Sequence, residues 1–243
     1  MAAVSPSAGP IPILALDVGS VEGAQRMLRQ VKGLCTFAKV GSELFTAAGP
    51  EVVRAVRAAG CDVFLDLKLH DIPNTVRAAT RAARELGVRL LTVHAAGGRA
   101  VVEAAVSGAG PECGVFAVTV LTSMDGAAVA EATGRERVEV LDEVLRLAAL
   151  ARAGGARGVV CSGREASAVR EQHGPALQRL VPGIRFVDGA AHDQARVVTP
   201  GAAAASGADY LVIGRAVTAA ADPAAAMRRV LAELRLSAGA APA

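Results

Sequence analysis

Eight short apolar runs recur along the chain, each followed by enough residues for a helix or a loop. They cover residues 11–18, 36–40, 62–69, 90–94, 115–121, 158–161, 184–187 and 210–213, and the stretches between them are rich in Ala and Arg. Near-continuous apolarity marks strands buried on both faces, as in a parallel sheet covered by helices. Eight strand–helix units with no break in composition predict an α/β fold, a closed (β/α)8 TIM barrel in a single domain. The 243 residues suit that fold, which takes about 250. An open doubly wound sheet is the alternative arrangement of such units. The barrel is predicted over residues 11–235, between a disordered lead-in (1–10) and a frayed tail (236–243).

Only 2% of residues are aromatic although 52% are hydrophobic, so the core is expected to consist of Ala, Val, Leu and Ile. The net charge of +3 includes no basic run, which gives no reason to expect nucleic acid or a membrane surface as partner. No apolar stretch reaches the ~20 residues of a membrane span. Residues 1–10 lack a charged segment followed by an apolar one, and so do not read as a signal peptide. The four cysteines are widely spaced, form no C-x-x-C and lie in or beside the apolar runs. They read as buried reduced thiols in a cytoplasmic protein.

Barrels of this kind carry their sites at the C-terminal ends of the strands. The polar residues there are Asp17, Lys39, Asp66 with Lys68, His94, Thr122 with Ser123, Arg185 and Arg215. Charged groups on so many strands point to a ligand site more than to isolated salt bridges. Side chains alternate along a strand, so Asp66 and Lys68 are expected on one side and Leu67 and Leu69 on the other. That juxtaposition is either a reacting pair in a low-dielectric site or a buried structural ion pair. Only three of the 26 cationic residues are lysines, and two of them, Lys39 and Lys68, fall at strand ends. A lysine can give up a proton where an arginine cannot, which points to proton transfer or a compact point charge. Lys32 reads as solvated surface. In the last two units, Pro182-Gly183-Ile184-Arg185 is read as opening strand 7, and Gly214-Arg215 ends strand 8. Glycine, free N–H groups and a guanidinium there suit a phosphate. His94 is either a general base or a structural residue. No His, Cys, Asp and Glu cluster has metal-ligand spacing, and the Gly-rich residues 95–99 lack a dinucleotide fingerprint.

Residues 64–75, FLDLKLHDIPNT, closely resemble the signature segment of the orotidine 5′-monophosphate decarboxylase family. The resemblance runs over residues 13–227 through LALD, FAKVGSELFTAAGP, LTVHAAGG, AVTVLTSMD, GVVCS, PGIR, DQARVVTP and DYLVIGRAVT, in the family's order. It implies a cofactor-free enzyme that converts orotidine monophosphate to uridine monophosphate, the last step of de novo UMP synthesis. By resemblance, Lys39, Asp66, Lys68 and Asp71 form the charged catalytic network, with Lys68 as proton donor to C6. Asp17 and Lys39 match ribose-binding positions, and Thr122 and Ser123 match pyrimidine contacts. Arg185, Gln194, Gly214 and Arg215 match the phosphate and loop-closure set. Asp71 and Thr75 would reach into the partner's site of an obligate homodimer. Two other readings are a metal-dependent sugar-phosphate enzyme of the same superfamily and a non-catalytic nucleotide-binding barrel. The first shares D-x-K-x-x-D but not HDIPNT, and the second would be expected to lose Asp66, Lys68 or Asp71.

Overall fold

The computed structural model describes residues 9–187 and 197–239. Eight parallel strands close into a barrel in chain order: β1 Ile11–Ala15, β2 Phe37–Gly41, β3 Asp62–Leu69, β4 Leu90–His94, β5 Gly114–Val118, β6 Gly158–Val160, β7 Gln178–Val181 and β8 Tyr210–Ile213. Closure between β1 and β8, with Ile11 opposite Tyr210, excludes the open sheet. Strands as apolar as β2, β5 and β8 are buried along their whole length because helices cover the outside and side chains fill the inside.

The filling differs from expectation. Ala, Val, Leu and Ile do dominate the layer between sheet and helices. The barrel interior, however, holds Phe37, Phe64, Phe116 and Tyr210, which are three of the five phenylalanines and the single tyrosine. Tyr210 meets Phe116 and Phe37 edge-on, with ring centroids 5.5 and 6.2 Å apart. Such pairs add about 0.5–1.5 kcal/mol beyond area burial. A wide barrel interior needs bulky plugs, whereas the outer layer admits small ones. Helices Pro73–Glu85 and Arg99–Ala109 lie so close that a Cβ on Gly108 would collide with the Arg77 carbonyl and the Thr80 hydroxyl.

The seventh strand also differs. The apolar run 184–187 is not the strand that its composition predicts; β7 is Gln178–Val181. Arg179 hides it: its guanidinium is buried, donates to the carbonyls of Gly174, Leu177 and Gly207, and pairs with Asp209 at 2.9 Å. A buried charge satisfied this fully fits inside a strand yet interrupts its apolar pattern. Pro182-Gly183-Ile184-Arg185 therefore follows β7 instead of opening it, and Ile184 makes only an isolated bridge to Val198. At the C-terminus, helix Pro223–Gly239 takes in residues 236–239, which had been assigned to the tail.

All four cysteines are free and buried, and burial pushes the thiols of Cys61 and Cys113 up to about 11. Among the described residues, no helix is long and apolar enough to cross a membrane.

Glu143, 6% exposed, anchors the segment after β5 to helix Val140–Ala153 through Arg146 at 2.6 Å and Arg135 at 3.0 Å. The hydrogen bond from Arg146, ahead of that from Arg135, lowers its carboxyl to about 2. A depressed carboxylate stabilises the fold above the ordinary value of 4.5 and loses that contribution as pH falls towards 2. Glu143→Gln is expected to destabilise the fold at pH 7 by on the order of 1 kcal/mol, since both arginine partners are about half exposed and screened by solvent. The difference in denaturation midpoint from wild type should shrink between pH 4.5 and the lowest pH at which the wild type still folds. A midpoint difference independent of pH would contradict the ion-pair account.

Candidate active site

The C-terminal ends of the strands surround a cleft of about 590 Å³, within the range of small-molecule sites. Apolar groups from Ala15, Phe64, Val118, Val160, Leu180 and Val212 form its floor. Above them stands a row of alternating charges. Asp17 accepts from the Lys39 ammonium at 2.9 Å, Lys39 lies 3.9 Å from Asp66, and Asp66 accepts from Lys68 at 2.9 Å. Lys39 and Asp66 are buried, with side chains 11% and 12% exposed, while the Lys68 side chain remains 37% exposed towards the cleft. At Gly41 a Cβ would stand 2.8 Å from Lys39 Nζ, so the absent side chain leaves room for the ammonium. The importance of that glycine was not visible in the sequence.

Side chains alternate along β3 as expected, with Asp66 and Lys68 towards the cleft and Leu65, Leu67 and Leu69 outside, but the pairing with β4 is irregular. Leu65 is opposite Leu91 and Leu69 is opposite Val93, so Asp66, Leu67 and Lys68 together face the single residue Thr92. Lys68 has φ +49°, and among the described residues no other non-glycine has a positive φ. That conformation costs on the order of 1 kcal/mol and is held only where surrounding contacts enforce it. Bulges of this kind re-aim side chains at sites. Leu67 and Leu69 pack against the outer hydrophobic layer, on the side that the sequence suggested.

Of the other residues singled out from sequence, Thr122, Ser123, Arg185, Gly214 and Arg215 also line the cleft. Arg185 is 8% exposed, donates from Nη1 to the carbonyl of Ile184, and has a buried Nε with no partner among the described residues. Burial, and secondarily Arg215, lowers its guanidinium below the usual range. Two guanidinium groups brought together beside the cleft suit a dianion between them. Pro182 and Gly183, part of the segment that the sequence pointed to for a phosphate, complete that side together with Thr218, which sequence reasoning did not assign to binding.

Asp71 and Thr75 do not line this cleft, and both are exposed. Asp71 accepts from the Ile72 N–H, and the Ile72 side chain is 67% exposed beside it. Gln194 and the 188–194 loop fall in 188–196, outside the described residues. His94 packs its ring against His70 with centroids 5.3 Å apart and is absent from the cleft wall. Burial, then His70 and Lys68, lowers its pKa below the usual imidazole value, which favours the neutral ring. The residue missed altogether is Thr92, fully buried on β4. A hydroxyl inside the apolar run 90–94 was the available signal.

The Orotidine 5′-phosphate decarboxylase / HUMPS family profile matches residues 10–230. The chain belongs to this family. It is 48% identical over 230 residues to the orotidine 5′-phosphate decarboxylase of Halorhodospira halophila, covering 93% of this chain and 96% of that one. It is 51% identical over 220 residues to that of Anaeromyxobacter sp. strain K, covering 90% and 96%. Among solved structures, the Lactobacillus acidophilus orotidine 5′-phosphate decarboxylase superposes with a TM-score of 0.82 at 34% identity, covering 93% of this chain and 99% of that one. The family therefore spans the barrel and every described residue of the cleft.

Proposed function

We propose that this chain decarboxylates orotidine 5′-monophosphate to uridine 5′-monophosphate without metal or cofactor. The observation that carries the reading is the row Asp17–Lys39–Asp66–Lys68 facing an apolar-floored cleft. Loss of carbon dioxide from C6 leaves a carbanion that the pyrimidine ring stabilises poorly. The Lys68 ammonium pairs with that charge and then protonates C6. Asp66 lies beside the departing carboxylate, and a like-charge contact at ~4 Å costs about 4 kcal/mol at an effective dielectric near 20. Very slow reactions require up to ~23 kcal/mol of barrier reduction, so stress on the ground state is the minor contribution. Most of the effect acts on the carbanion through ammoniums already held in place by carboxylates. Asp17 and Lys39 also bind the ribose, Thr122 and Ser123 the pyrimidine, and Arg185, Gly214, Arg215 and Gln194 the phosphate.

The carboxylates of the cleft are already paired with lysines, which leaves them poor ligands for a divalent cation. Loss of orotidine monophosphate absorbance, followed with and without chelator, tests the reading. Chelator-resistant turnover is expected, and no turnover by pure protein would refute the assignment. Asp71 and Thr75, exposed and outside their own chain's cleft, complete the partner's site in a cytoplasmic homodimer.

Arg215→Ala is expected to weaken binding of orotidine monophosphate and to slow its turnover on the order of 10²-fold, by loss of a charge-assisted bidentate contact that helps close the site. Turnover of the unphosphorylated nucleoside should change little. Equal damage to both substrates would make Arg215 structural.

A further inference from the structure

We infer that Thr92 is a positioning residue for the reacting pair, setting the Lys68 ammonium through both the backbone of Lys68 and the carboxylate of Asp66. The inference rests on Asp66 and Lys68 being the reacting groups. Thr92 is fully buried and does not line the cleft, so it acts on substrate only through others. Its hydroxyl accepts from the Lys68 N–H at 2.9 Å and donates to Asp66 Oδ1 at 2.9 Å. The directions are forced, because a backbone N–H only donates and a carboxylate only accepts. The second oxygen of the same carboxylate, Oδ2, accepts from Lys68 Nζ at 2.9 Å. One hydroxyl therefore closes a ring that runs through the Lys68 backbone, its side chain and Asp66.

The register explains why this residue is needed. Three residues of β3 face one residue of β4, so the ladder has no regular partner for the Lys68 N–H at the bulge. The Thr92 side chain supplies it and holds Lys68 at φ +49°. An aliphatic residue would fill the space and leave a buried N–H unpaired. The Lys68 backbone could then relax only by moving its ammonium, and displacement of a reacting group by about 1 Å is worth on the order of 10²-fold in rate.

The test compares Thr92→Val, Thr92→Cys and Thr92→Ser. The valine variant should lose kcat on the order of 10²-fold with KM within about 3-fold of wild type, because the substrate-binding groups are untouched. Serine should restore kcat to within about 3-fold of wild type, since it keeps both hydrogen bonds. Cysteine, similar in volume and a weak hydrogen-bonding group, should fall between them, and it decides the matter if the valine variant fails to fold. A structure of the valine or cysteine variant should show Lys68 out of the left-handed region, and one of the serine variant should show it retained. A valine or cysteine variant as fast as wild type, a serine variant as slow as valine, or an effect on KM alone would overturn the inference. Wild-type protein inactive on orotidine monophosphate would instead sink the proposed function. The Lys68 backbone in the variants would then still decide the role of Thr92.

Discussion

Lys68→Ala is expected to turn over orotidine monophosphate at least about 10⁴-fold more slowly than wild type while still binding uridine monophosphate. General acid catalysis is worth 10²–10⁴-fold and a preorganised charge facing the developing anion adds about 10²–10³. Both are lost together when the ammonium 2.9 Å from Asp66 is removed. Binding should survive because the residues proposed to hold the ribose, pyrimidine and phosphate line the cleft from other strands and loops. Lys68→Arg should be nearly as slow, since a guanidinium does not release its proton and its planar fork does not match a point charge held by one carboxylate oxygen. Steady-state turnover and calorimetric titration with uridine monophosphate check both halves. Substantial turnover by the arginine variant would remove Lys68 as proton donor.

Mixing two inactive proteins should restore activity. Asp71 lies three residues after Lys68, yet it is exposed and outside the cleft that Lys68 lines. In an isologous dimer each subunit lends the same residue to the other. Lys68→Ala and Asp71→Ala proteins, each nearly inactive, are mixed in equal amounts, dissociated and allowed to re-pair. In a mixed dimer one site inherits both substitutions and the other neither. Random pairing makes about half of the dimers mixed, so about a quarter of all sites are intact. Turnover should rise towards a quarter of the wild-type value. No recovery, while wild-type subunits demonstrably exchange, would mean that Asp71 serves its own chain.

The charged residues of the cleft were legible because they interrupt apolar strands, and such interruptions are tolerated only where the charges are paired or used. Lys39, Asp66 and Lys68 stand out in this way, while Asp17 and Arg215 stand just past the ends of β1 and β8. The same rule misled at β7, where the buried Arg179 serves structure and broke the pattern of a genuine strand. Its partners are carbonyls of Gly174, Leu177 and Gly207, which no pattern in the sequence connects.

The sequence by itself determined that the chain is built of eight strand–helix units, where seven of the strands lie, and which residue types gather at their C-terminal ends, because periodicity and polarity are local properties of the chain; closure into a barrel was decided by the pairing of β1 with β8. Tertiary structure decided how they act on one another. The aromatic plug of the barrel, the space at Gly41 for the Lys39 ammonium, and the three-to-one bulge at Lys68 depend on which backbone lies across from which. Thr92 shows in the sequence only as a hydroxyl within an apolar run, and its role stays hidden until β4 is laid beside β3. Only then does its hydroxyl face an N–H and a carboxylate 24 and 26 residues away in the chain.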